Sequence, residues 1–260
     1  MLKLCLGLAA AAIALATTTP ARAGEGEEPA EETDVAPPRL PLAHAARPLT
    51  LPQGVLEPIA RFAVLQEPPR LWNLGFGAAA GLTDHVEVHA VVAPLQISPS
   101  ATFGQQGHPG PSVGATAWLS GQRSQLGLSA EVTWITVPHG SGAVIDLGLP
   151  VHSRSGDTVR LDYGAFVRLT QSADKTAAVS LPFSFAVDLI PAIHLGAGTG
   201  LVYDGSLNIP LGFFAGGAIG GADGPLVEID PYFRLPSLFS SAQSDQRYEA
   251  GVTLRGFFYL

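Results

Sequence analysis

From Val55 to the C-terminus, apolar and polar residues alternate along the chain. Apolar residues recur at every second position in twelve segments of about 10–12 residues. The first sets are Leu56, Ala60, Phe62, Val64 and Trp72, Leu74, Phe76, Ala78. Central ones include Leu126, Leu128, Ala130, Val132, Trp134 and Ala143, Ile145, Leu147, Leu149, Val151. The last is Ala250, Val252, Leu254, Phe258, Leu260. A period of two places each set on one face of a β-strand. Globular strands peak at about 5–6 residues, whereas a tilted membrane strand needs about 9–11. An even strand number also returns both ends of the chain to the same side of a membrane. The pattern therefore predicts an all-β fold, a transmembrane antiparallel up-and-down β-barrel of about twelve strands over residues 49–260. A soluble antiparallel sandwich has the same alternation, but not strands of this length.

The opposite parity carries the charge. Glu57, Arg61, Glu87, Glu131, Asp146, Arg160, Asp162, Arg168, Glu228, Asp230, Arg234, Glu249 and Arg255 all fall on it, with His89, His152 and His194. An Arg or Lys facing lipid at the midplane would cost about 2–4 kcal/mol, so these residues are expected to line the lumen. Eight acids against five arginines would favour cations or neutral solutes if water fills that lumen. If the charges pair across it, they form a closed ionic core instead. Sequence leaves both open.

The connectors fit the same topology. With a periplasmic N-terminus, the two longest, 97–110 and 236–246, face outward, and short turns face inward. Trp72 and Tyr248 open their strands, and Trp134 and Tyr203 close theirs. All four are expected in an aromatic girdle at the outer interface. Glycines gather on the lumenal parity (Gly75, Gly77, Gly114, Gly127, Gly148, Gly164, Gly196, Gly198, Gly200), where they are expected to leave space or let strands bend.

Composition sharpens the picture. Only 14% of the residues are charged and 47% are hydrophobic, against about 25% charged in a soluble domain. Residues 1–23 read as a secretory signal peptide: Lys3, an apolar run over 4–16, and Ala21-Arg22-Ala23 as the cleavage site. Cleavage would remove Cys5, leaving no thiol in the mature chain. Removing Lys3 and Arg22 leaves 12 basic against 22 acidic residues, which argues against a nucleic-acid partner. Residues 24–48 hold Glu25, Glu27, Glu28, Glu31, Glu32 and Asp34, followed by Pro37, Pro38, Pro41 and Pro48, and read as an acidic, Pro-rich flexible tail.

With these features in view, the chain resembles the bacterial outer-membrane β-barrel superfamily, in the style of small porin-like and transporter barrels. The likeness is carried by Gly81-Leu82-Thr83-Asp84-His85-Val86-Glu87-Val88, a turn entering a strand. It is carried also by the terminal strand Ala250-Gly251-Val252-Thr253-Leu254-Arg255-Gly256-Phe257-Phe258-Tyr259-Leu260, which ends one residue past its last aromatic. The resemblance implies an outer-membrane location, lipid and the barrel assembly machinery as partners, and passage of small solutes or ions. A non-conducting structural or surface-interaction barrel is the alternative, and a lipid enzyme a more distant one.

Catalytic and cofactor chemistry is not legible. His139-Gly140-Ser141-Gly142 reads as a turn with no orienting acid. Gly196-Ala197-Gly198-Thr199-Gly200 lacks the lysine and helix of a phosphate loop. The histidines show no metal-ligand spacing. No enzyme activity, cofactor or metal is expected.

Overall fold

The structure, a computed structural model, describes residues 39–66, 71–91, 95–97, 108–137, 140–171, 176–221, 224–240 and 248–260. The predicted signal peptide, the acidic stretch to residue 38, residues 98–107 and 241–246 of the two longest predicted loops, and His139 lie outside the described residues, as does the side chain of Ser141. The other residues expected in those loops, 97, 108–110 and 236–240, are strand, so the strands run further than the alternation predicted.

Antiparallel strands follow one another in chain order: β1 (Val55–Gln66), β2 (Leu71–Thr83), β3 (Val86–Val91), β4 (Leu95–Ile97), β5 (His108–Ser120), β6 (Ser124–Val137), β7 (Gly140–Ser155), β8 (Val159–Gln171), β9 (Thr176–Ile190), β10 (Ile193–Tyr203), β11 (Leu207–Gly221), β12 (Gly224–Ser240), β13 (Tyr248–Gly256) and β14 (Phe258–Tyr259). The short pieces β3 and β4 both pair with β2, and β13 and β14 both pair with β1, so each couple makes one interrupted barrel strand. The sheet closes because β1 pairs with β2 on one side and with β13 on the other. The result is the expected closed twelve-strand barrel. Among the described residues closure pairs every long strand on both sides, as a backbone in an apolar medium requires.

The register preserves the alternation from strand to strand. Leu147 stands opposite Ala130 and Val167, while Asp146 stands opposite Glu131 and Arg168. The proposed lipid-facing residues are accordingly the exposed ones: Phe62, Phe76, Leu128, Leu147, Leu181, Phe213 and Leu254 among them. An exposed apolar band of this extent belongs in hydrocarbon, since soluble monomers rarely expose large contiguous apolar patches. Trp72, Trp134, Tyr203 and Tyr248 are also exposed on this face, at the strand ends predicted for the girdle. Leu147 lies mid-strand in β7, so Leu147→Arg should destabilise the barrel by about 2–4 kcal/mol. Urea unfolding in lipid vesicles measures the loss.

The chain enters β1 through a turn at Gly54, whose φ of +78° suits glycine. The Leu260 N–H donates to the Gly54 carbonyl at 2.8 Å, which brings the C-terminus beside the start of the barrel. Both lie at the end that carries the short turns.

Candidate functional site

The expected flexible tail does not run to residue 48. From Arg39 onward the chain packs against the barrel, and residues 39–54 form a strap across the interior at the short-turn end. The strap contains one 3-10 turn, His44–Ala46. The Gly54 N–H donates to the Gly81 carbonyl at 3.1 Å, and other backbone donors of the strap find side chains. The Ala45 N–H donates to Asp188 Oδ2 (2.8 Å), Leu49 to Gln125 Oε1 (2.6 Å), Leu51 to Glu87 Oε2 (3.0 Å) and Gln53 to Asp84 Oδ1 (3.0 Å). Arg154 Nη1 donates to the Ala46 carbonyl at 2.7 Å. The anchors come from β3, β6, β7, β9 and the turn after β2. Hydrogen bonds involving charged groups contribute about 1.5–3 kcal/mol each, enough together to seat a segment without a ladder. Leu40 and Leu51 add apolar cover, packing with Val55, Ala79 and Phe257.

The centre of this closed end is Glu228 on β12, which is 0% exposed. Arg47 from the strap and Arg255 from β13 both pair with it, and Arg255 also reaches Asp230 and, at 3.2 Å, Glu57. Arg47 further donates to the carbonyls of Pro41 and Leu42, and its guanidinium lies 5.2 Å from the Phe257 ring centroid. Burying a carboxylate is tolerable only with such pairing. His44 stacks on His194 of β10 with ring centroids 4.1 Å apart. Burial pushes the His44 imidazole down to about 4, so the ring is neutral at ordinary pH.

Toward the long-loop end the interior is wetter. A cavity of about 720 Å³ is lined by His89, Glu131, Asp146, Asp162, Phe166, Arg168, Phe214, Tyr232 and Arg234, among others, so that Asp162 faces both the strap end and the cavity. Charges in this half of the barrel are paired side by side along the wall. His89 Nε2 lies 3.5 Å from Glu131, Arg168 binds Asp146 through two nitrogens (2.8 and 3.0 Å), and Arg61 binds Glu249 at 2.6 Å. Arg61 also donates to Tyr232 Oη (2.9 Å), which in turn donates to Glu249 (2.7 Å). Arg168 and Arg61 remain more than half exposed, so these pairs are solvated and individually weak.

The structure thus sorts the sequence-predicted lumenal set into two groups. Glu57, Glu87, His194, Glu228, Asp230 and Arg255 gather at the strap, with Arg160, Asp162 and His152 joined beside it (Arg160 Nε to Asp162 Oδ2, 2.6 Å; His152 Nδ1 to Asp162 Oδ1, 2.7 Å). Arg61, His89, Glu131, Asp146, Arg168, Arg234 and Glu249 belong to the wet half. Sequence reading missed Arg47, His44, Gln125, Arg154 and Asp188, all engaged with the strap or part of it. Their signal was weak: His44 and Arg47 fall in the stretch read as tail, and Gln125, Arg154 and Asp188 sit near strand ends, where alternation says little.

The lumenal glycines do not simply leave space, because rings lie over several of them. Directly across the ladder, His89 faces Gly114, Phe166 faces Gly148, Phe214 faces Gly196, His194 faces Gly216 and Tyr232 faces Gly251. A Cβ on Gly216 would come within about 2.0 Å of His194 Cε1 and 2.1 Å of Asp230 Oδ1. Gly216→Ala must therefore displace both groups, at a cost of about 1–3 kcal/mol. A lowered urea midpoint and faster hydrogen exchange across 39–54 would register it.

No protein-family profile matches this chain, and no curated protein sequence does. Solved structures do. The crystal structure of the COG4313 outer membrane channel from Pseudomonas putida F1 matches 80% of this chain and 97% of its own, with a TM-score of 0.60 and 11% identity. The likeness is one of fold. More distant are the CymD monoaromatic hydrocarbon channel (TM-score 0.46, 8% identity, 81% and 90% covered) and a structure titled bacterial polysaccharide outer membrane secretin (0.44, 11% identity, 80% and 99% covered).

Proposed function

We propose that this protein is a passive channel or small-solute transporter of the outer membrane, whose inner end is closed by its own N-terminal strap. The observation that carries the reading is the cavity of about 720 Å³, lined in part by charged side chains, within a barrel belted by apolar residues, a volume typical of small-molecule sites. A fold shared with a named outer-membrane channel supports it. The proposed pathway residues are the wet-half charges Arg61, His89, Glu131, Asp146, Arg168, Arg234 and Glu249. The role is one of passage and not of catalysis. Lipid and the barrel assembly machinery are the partners such a fold would need.

Charge selectivity should be modest. Adding Asp188 to the eight lumenal acids, and Arg47 and Arg154 to the five arginines, leaves nine acids against seven bases among the described residues. Under a salt gradient in planar bilayers the reversal potential should show a weak cation preference. An anion preference would overturn this charge reading.

One observation favours a second reading, a non-conducting barrel. The strap and the paired charges at the short-turn end fill the interior there, and Glu228 and His152 are fully buried. Bilayer recordings separate the two: bilayers that stay sealed even after the strap is removed would eliminate the channel.

A further inference from the structure

The strap and the wall meet at a group of nitrogen and oxygen atoms, three of which hydrogen bonds leave unused. His44 Nδ1, Glu228 Oε2 and Asp230 Oδ1 are buried without a hydrogen-bond partner; Glu228 Oε2 touches Arg47 as an ion pair but lacks hydrogen-bond geometry. One donor atom each from His44, His194 and Glu228 lie within 4.8 Å of one another. Glu228 Oε1 is 3.8 Å from His44 Nδ1, and Asp230 Oδ1 is 3.4 Å from His194 Nε2. Two ligands of a tetrahedral metal, each bonded at about 2.0–2.1 Å, sit roughly 3.3 Å apart. The cluster is therefore wider than a bound ion requires, and His44 and His194 must turn out of their stack for both to point at one ion.

We propose that His44, His194 and Glu228 bind a divalent transition-metal ion of the zinc type, which ties the N-terminal strap to the barrel wall. Two imidazoles with one carboxylate form a borderline nitrogen and oxygen set that suits zinc better than magnesium or calcium. Asp230 supplies a further oxygen donor at the edge of the cluster. Arg47 and Arg255 share the Glu228 carboxylate and oppose the ion's charge. Asp188, Asp230 and Glu57 stand nearby to offset them. The ligands come from the strap, β10 and β12, so the site is complete only with the strap seated. By linkage, an ion bound there stabilises the seated state. The inference does not depend on whether the barrel conducts.

Full-length protein in detergent, titrated with zinc chloride by calorimetry and with cobalt chloride by absorption, tests it. The expected result is one ion per chain at neutral pH, with cobalt bands of tetrahedral type. His44→Ala and His194→Gln should each weaken binding about tenfold or more, while His89→Ala in the wet half should not. All variants should keep heat-modifiable migration, so that lost binding is not lost folding. Zinc should also slow hydrogen exchange across 39–54 in the native protein and not in His194→Gln. Zinc uptake by the native protein no greater than by the His44→Ala, His194→Gln double variant would overturn the site. Uptake that leaves strap exchange unchanged would overturn the tie.

Discussion

Planar bilayers carrying the barrel without residues 39–50 are expected to pass severalfold more current than those carrying the full-length protein. The strap crosses the interior where the lumen is otherwise lined by Glu57, Glu87, Asp188, Glu228 and Asp230. Removing it returns those carboxylates to water and withdraws Arg47 from the balance of charge. The larger current should then carry a stronger cation preference, because Arg39 and Arg47 leave with the segment and the lumenal acids stay. Arg47→Ala in the full-length chain is the milder form of the test. It removes the ion pair to Glu228 and the hydrogen bonds to the Pro41 and Leu42 carbonyls, so brief openings should appear on a quiet baseline. Equal currents from native and truncated protein would mean that the strap does not limit passage.

The second large effect is expected at Glu228. Glu228→Ala strips Arg47 of its carboxylate at the closed end, while Arg255 keeps Asp230 and Glu57. Breaking a buried pair by removing one partner costs about 3–5 kcal/mol, chiefly because the remaining charge is buried without compensation. The urea midpoint in lipid vesicles should fall accordingly, and exchange across residues 39–54 should quicken. Glu228→Gln should cost less than the alanine variant, since its amide oxygen still accepts a hydrogen bond from Arg255. Should the alanine variant match the native protein in stability, Glu228 is not the latch.

Much of the wall was legible because a barrel strand answers to a local rule. Leu147 must meet lipid and Asp146 must not, and the two are neighbours in sequence. The strap was not legible because its rule is not local. Residues 39–48 have no apolar period, and their prolines and the acids before them resemble a disordered tail. What orders them is a set of acceptors, Asp188, Gln125, Glu87 and Asp84, spread over more than a hundred positions. Their convergence follows only from closure. The ring-over-glycine pairs were half legible. The glycines stood out on the lumenal parity, but Phe166 over Gly148 and Phe214 over Gly196 depend on register, which alternation alone does not set.

Read alone, then, the chain determined which face of each strand is apolar, how many strands there are, and which charges share the opposite face. These follow from the two-residue repeat of a strand and the cost of a charge in hydrocarbon. Only the tertiary structure decided which inward charges meet, and that the N-terminal segment folds back to bury Glu228 between two arginines. Those outcomes depend on distances across a closed cylinder, between groups that no local pattern connects.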